Sequence, residues 1–171
     1  MEKMKKYLFV FLAAIAAVLP VCAELVEIDG VWYDLDPKKH AATVTYSAEL
    51  QSEGRTSYNR PVAIDIPASV KHKGKSYKVK AVGDHAFLGA KVITVTLPAG
   101  VTSIGNEAFA ECKSLTAVLL MSKEPPILGE NVFRDTAKHG NYQYINVPCG
   151  ALSAYKSQWA PYKAAIRERC Q

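Results

Sequence analysis

Residues 79–97 can be laid over residues 101–119 at an offset of 22, and nine positions then agree in size and polarity. The pairs are Val79/Val101, Val82/Ile104, Gly83/Gly105, Ala86/Ala108, Phe87/Phe109, Ala90/Cys112, Ile93/Leu115, Val95/Ala117 and Leu97/Leu119. A looser third copy begins at Leu128-Gly129, reaches Val132-Phe133 at an offset of 24 and ends in Ile145-Asn146-Val147-Pro148. An incomplete copy, Ile64-Asp65-Ile66-Pro67, precedes them. A unit of this length cannot enclose its own apolar face, so the units have to stack on one another as a solenoid.

Each unit reads as a strand and a short helical turn. Ile93, Val95 and Leu97 alternate with Thr94 and Thr96, the period-two pattern of a strand with one buried face, and Pro98 stops it. Downstream, Gly105 permits a tight turn, Asn106 is placed to cap a short helix, and Ala108 and Phe109 point inward; Asp84 takes the same capping place after Gly83.

These residues carry a family resemblance. VKAVGDHAFLGAKVITVTLPAGV (residues 79–101) and VTSIGNEAFAECKSLTAVLL (residues 101–120) resemble the BspA-like leucine-rich repeats of bacterial surface proteins. In that family IP-x-x-V, IG-x-x-AF, a Cys or small residue and an alternating apolar strand recur about every 23 residues. Ala154-Tyr155-Lys156 with Trp159 is similar to the segment that often follows such repeats. The resemblance implies an extracellular recognition or adhesion role and brings no catalytic residues with it.

The expected architecture is thus α/β: a short leucine-rich-repeat solenoid with one parallel sheet, an N-terminal β-hairpin cap and a C-terminal helical cap. The boundaries read as a signal peptide over 1–23, an N-terminal β cap over 24–60, the solenoid over 61–148 and a C-terminal cap over 149–171. The N-terminal cap rests on two alternating runs, residues 30–35 and 42–46, joined by Asp36-Pro37-Lys38-Lys39-His40. Leu152, Tyr155, Trp159 and Tyr162 form one apolar helical face, and Pro161 ends that helix near Gln158 or Trp159. Such a stripe is read as packing and not as a cofactor box. Two insertions depart from the repeat. Residues 71–80 (KHKGKSYKVK) read as a lysine-rich hairpin excursion, with a polyanion patch as the sharper alternative, and a loop bulges around residues 138–142.

The first 23 residues read as an export signal. A basic start is followed by thirteen uncharged residues, YLFVFLAAIAAVL at 7–19, and then Pro20 and Val21-Cys22-Ala23. This apolar run falls short of the about 20 residues a bilayer requires, so cleavage after Ala23 is expected, leaving no transmembrane segment. Lipid anchoring through Cys22 is the weaker reading, because Val21 stands where lipoprotein signals usually carry Gly, Ala or Ser. The chain is therefore expected to be secreted or held at the cell surface. Removing Lys3, Lys5, Lys6 and Glu2 leaves 18 Lys+Arg against 15 Asp+Glu, too mild a balance for a nucleic-acid footprint.

Cleavage leaves Cys112, Cys149 and Cys170. Cys112 takes the place of Ala90 in the overlay and is expected buried and quiet, whereas Cys149 and Cys170 both fall in the C-terminal cap and are the candidate disulfide, against the alternative of two unpaired thiols. No zinc spacing is present, and no cofactor or metal is expected. A cysteine hydrolase using Cys149 with His139 is a remote alternative without a third orienting group. Glu107 and Glu111 read as a surface pair, and neither a phosphate loop nor HExxH occurs. The chain thus reads as a non-enzymatic protein that binds a host or matrix protein through its repeat surface. The expected binding face comprises Ala63 and Asp65, Thr94 and Thr96, Thr116 and Val118, and Tyr144 and Asn146. An alternative is a glycan-binding module, with Trp32, Tyr58 or Tyr144 stacking on sugar rings.

Overall fold

The computed structural model describes residues 23–46, 58, 62–136 and 144–170. The expected leader up to Cys22, His139 and the loop around 138–142 lie outside these.

Inward Val31, Tyr33 and Leu35 alternate with Trp32, Asp34 and Asp36, and the chain here forms an antiparallel meander. Its strands are β1 (Glu24–Ile28), β2 (Val31–Asp36) and β3 (Ala41–Thr45). The expected hairpin is therefore one strand larger. Asp29 and Gly30, with φ of 51° and 77°, make the two-residue turn whose twist suits tightly paired strands.

The lysine-rich insertion is a second hairpin, β5 (Ser69–His72) on β6 (Lys75–Val82), turned at Lys73 and Gly74, whose φ values are 48° and 75°. It is tied into the body, because Val70 and Tyr77 are buried and β6 runs on parallel to β3.

The remaining strands are β4 (Val62–Asp65), β7 (Val92–Leu97), β8 (Ser103–Ile104), β9 (Ala117–Leu120), β10 (Ile127–Leu128), β11 (Tyr144–Pro148) and β12 (Ile166–Arg169). They do not form one sheet. Sheet I has the order β1-β2-β3-β6-β8-β10 with β5 on β6, and sheet II, parallel throughout, has the order β12-β11-β9-β7-β4. The physical reason lies in the overlay itself. Val79/Val101 and Val82/Ile104 are a second set of inward apolar residues per repeat, and with the chain turning at the prolines each repeat has a strand for both sheets.

The segment between the sheets is not helical. His85 and Gly89, Glu107 and Glu111, and Asn131 and Asp135 all have φ between 50° and 65°, so left-handed residues recur every four positions. Backbone bonds to the next repeat alternate with bonds that close single turns: Phe87 N–H donates to Ala108 O at 2.8 Å and Phe109 N–H to Val132 O at 2.9 Å, while Leu88 N–H donates to His85 O and Ala110 N–H to Glu107 O, both at 3.0 Å. The expected caps act across repeats too. Asp84 Oδ1 accepts from Asn106 N–H and Asn106 Oδ1 from Glu130 N–H, each at 2.7 Å. Gly105 is required by this stacking rather than by φ, because a Cβ there would collide with Asp84 Oδ1 and lie 2.5 Å from Asp84 N.

Inside, Phe87, Phe109 and Phe133 form a column with centroids 5.1 and 5.5 Å apart and planes within 10°. Tyr58 covers one end at 4.6 Å from Phe87, and the edge of Tyr162 meets Phe133 at 5.1 Å. Cys112 is buried, its Sγ donates to Phe87 O at 2.8 Å, and burial pushes its thiol up to about 12.

The C-terminal end closes with α1 (Leu152–Gln158), a 3-10 turn (Ala160–Tyr162) and β12. Tyr155 and Trp159 are buried with their polar tips satisfied, Tyr155 Oη on Ser122 O at 2.8 Å and Trp159 Nε1 on Pro126 O at 2.9 Å. Cys149 and Cys170 are bridged with Cα atoms 4.8 Å apart. Strand β12, which no sequence pattern announced, runs parallel beside β11.

Candidate recognition face

Sheet II fixes two outward columns. Ala63, Thr94, Ala117 and Tyr144 share one, and Asp65, Thr96, Leu119, Asn146 and Arg167 share the other. Between them Ile64, Val95, Val118, Ile145 and Ile166 point into the core. Neighbouring rungs stand about 4.8 Å apart, so a ligand laid across the strands meets several repeats.

Most of the expected face lies on these columns, but Val118 does not. It is buried, and Ala117 and Leu119 take the outward places on β9. Ala90 is separated from buried Val92 by Lys91 alone, whereas Cys112 is separated from buried Leu115 by Lys113 and Ser114. The repeat offset therefore changes from 22 to 23 before the strand, Val95 pairs with Val118, and a one-residue slip turns every side chain to the other face. The extra residue after Cys112 was the signal that could have located it. Ile93 departs likewise, because the register shift opposite β4 leaves it unmatched and turned outward. Thr116 precedes β9 and binds back, its Oγ1 donating to Ile93 O at 3.0 Å.

Of the aromatics suggested for sugar stacking, Tyr58 is buried, its hydroxyl donating to Thr45 O at 2.9 Å and accepting from Trp32 N–H at 3.2 Å. Trp32 is half-buried on the outer side of sheet I, and Tyr144 is exposed on sheet II with the Arg167 guanidinium 5.6 Å from its ring centroid. Where β9, β11 and β12 meet, a shallow depression of about 270 Å³ is lined by Leu119, Met121, Asn146, Pro148, Cys149 and Arg169.

The outer side of sheet I is a different surface. Its broader hollow mixes Asp34 and Asp36 with Lys38, Lys39 and Lys80. Asp36 accepts the backbone N–H groups of Lys38 and Lys39 at 2.9 and 3.0 Å, and the Lys39 N–H bond leads in holding its carboxyl below the usual range. Burial instead raises the Asp34 carboxyl, with Asp36 adding repulsion. At the hairpin tip Glu24 bonds Lys73 and His72.

The catalytic alternatives find little support in this geometry. Cys149 is bonded to Cys170 and offers no thiolate, and His139 lies outside the described residues. Glu107 and Glu111 share Arg134, at 3.1 and 3.3 Å. Among the described residues the one grouping of metal-type ligands is Cys149, Glu168 and Cys170, of which two are tied in the disulfide.

No curated protein matches this chain. Among solved structures, it is similar to a leucine-rich repeat protein from Bacteroides capillosus, at 25% identity and a TM-score of 0.53, over 72% of this chain and 97% of that one. It shares its fold with a leucine rich cell surface protein from Faecalibacterium prausnitzii, at 23% identity and a TM-score of 0.50, over 77% of this chain and 34% of the other. Residues 64–154 match the BspA type leucine rich repeat region, described as 6 copies. With more than half of its length in that match, the chain belongs to the BspA type leucine-rich repeat family.

Proposed function

We propose that this is an exported, non-enzymatic recognition protein, secreted or held at the cell surface, whose stacked repeats form a short solenoid and whose sheet II holds an extracellular protein partner. Its family suggests a binding role. The observation that carries the reading is the outward face of sheet II: five parallel strands, with one register shift beside β4, that bring Thr94, Thr96, Asn146 and Tyr144 into two outward columns. A rigid, flat array of this kind suits a macromolecular surface better than a small molecule, which calls for a deeper cavity. Export rests on the leader at 1–23, and among the described residues no helix is long and apolar enough to cross a membrane.

The test is binding of the chain from Glu24 onward to a panel of purified matrix proteins, in parallel with a glycan array. Binding to at least one matrix protein is expected, weakened about tenfold when Thr94 and Thr96 are both changed to Gln. Binding to glycans alone, or protein binding indifferent to those changes, would overturn the reading.

A further inference from the structure

We propose that the depression where β9, β11 and β12 meet takes an extended acidic segment of the protein partner, with an apolar side chain on Leu119, Met121 and Pro148 and a carboxylate on Arg169 and Arg167. This deepens, and rests on, the reading of sheet II as the partner surface.

Charge is distributed unevenly across that face. The column from β4 to β12 runs Asp65, Thr96, Leu119, Asn146, Arg167, and Arg169 follows two residues on along β12. Asp65 stands four strand spacings from β12, about 19 Å, which is roughly twice the screening length at physiological salt. Glu168, between the arginines, alternates to the other side of the strand, where it accepts the Gly150 N–H with its carboxylate within 4.8 Å of the Cys149 sulfur. Neither arginine pairs with a carboxylate among the described residues. Arg169 therefore lines an apolar floor on which Met121 is 58% exposed, Arg167 stands two residues back along β12 with its guanidinium over Tyr144, and the ligand that complements this arrangement is an acid beside an aliphatic group.

The site is also ordered in advance. Arg167 Nη1 donates to Ala164 O at 2.6 Å and Ile166 O at 3.0 Å, while its guanidinium lies over Tyr144. A side chain already held loses little freedom on binding. Those bonds also cover carbonyls at the edge strand, which disfavours addition of a further strand there and directs a ligand to the face. From β9 to β12 is two spacings, about 9.6 Å, whereas same-face side chains of an extended segment repeat about every 6.8 Å. The length of an arginine side chain bridges that difference, so the matching pattern is an apolar residue followed two positions later by Asp or Glu.

The probe is a fluorescein-labelled peptide of repeated Leu-Thr-Asp-Thr, titrated by anisotropy against the chain from Glu24 onward. Binding is expected, weakened about tenfold when Asp becomes Asn in the peptide or by Arg169→Ala, and several-fold by Met121→Ser. The Thr94 and Thr96 double variant should bind the peptide as the native chain does. Should Arg169→Ala prove misfolded by its thermal transition, the Asp and Asn peptides on the native chain still decide. Equal affinity for the two peptides, or no binding of either, overturns the inference. Matrix-protein binding that needs Thr94 and Thr96, with no preference for the Asp peptide, sinks this inference and leaves the broader reading standing. A charge-dependent peptide with matrix binding indifferent to those threonines does the reverse.

Discussion

Sheets I and II close over one core yet are built differently. In sheet I the strands shrink along the stack, from eight residues in β6 to two in β8 and β10, and its first half is antiparallel and made by local hairpins. In sheet II every strand has four to six residues and every pairing is parallel, between strands well separated in sequence. Their outer faces differ in the same sense. On sheet I Asp36 bonds its own neighbours Lys38 and Lys39, whereas the outward column of sheet II runs from Asp65 through uncharged rungs to Arg167, with Arg169 beyond it, and neither arginine pairs with a carboxylate among the described residues. A carboxylate already bonded by its neighbours has less left for a partner, which favours the proposed placement of recognition on sheet II.

The comparison can be broken first at the core that both sheets share. Phe109→Ala should cost about 3 to 5 kcal/mol in chemical denaturation, since it empties the middle of the phenyl column and unsettles both sheets together. A loss well under about 1 kcal/mol would mean that each sheet is stable without that column. Next in size is the bridge at the end of sheet II. Reducing Cys149–Cys170, which closes a separation of 21 residues, should cost roughly 3 kcal/mol and release β12 while leaving β1–β3 protected in hydrogen exchange. Titration of the unfolded chain from Glu24 onward should find one free thiol, and three would deny the bridge. Gly105→Ala should cost on the order of 2 kcal/mol, because the added methyl collides with the backbone of the preceding turn and that backbone cannot swing aside.

The smallest effect separates the sheets by pH. The Glu24 carboxyl is held below its ordinary 4.5, first by the Lys73 bond and then by His72, and Asp36 is held below 3.8; both belong to sheet I. A carboxyl depressed on folding contributes stability above its unfolded pKa, and that contribution is lost as pH falls through the depressed value. Exchange protection in β1 and β5 should therefore weaken below about pH 4.5 before that in β7 and β9, and Glu24→Gln should remove part of this dependence.

Much of this was legible in the sequence where one period ran undisturbed. The three phenylalanines, the inward face of β2, the hairpin in residues 71–80 and the helix beginning at Leu152 follow from spacing and turn residues alone. What failed depended on register. Val118 was misplaced because one added residue after Cys112 inverts a strand, and nothing in a local alternating pattern fixes its phase against a neighbour. The parallel part of sheet I was missed because two-residue strands carry no periodicity, and β12 because Arg167, Glu168 and Arg169 present no buried face to alternate with. Asp84 and Asn106 were recognised as caps, but their partners lie 22 and 24 residues away instead of in their own turn.

The central claim is that the partner sits on sheet II and not on sheet I, and hydroxyl-radical footprinting of the chain with its bound matrix protein tests it most directly. Met121 and Tyr144, 58% and 40% exposed, report on sheet II, and half-buried Trp32 with 48% exposed Leu25 reports on sheet I. The account predicts that the complex loses labelling at Met121 and Tyr144 and keeps it at Trp32 and Leu25. Protection at Trp32 and Leu25 with Met121 and Tyr144 unchanged would contradict it.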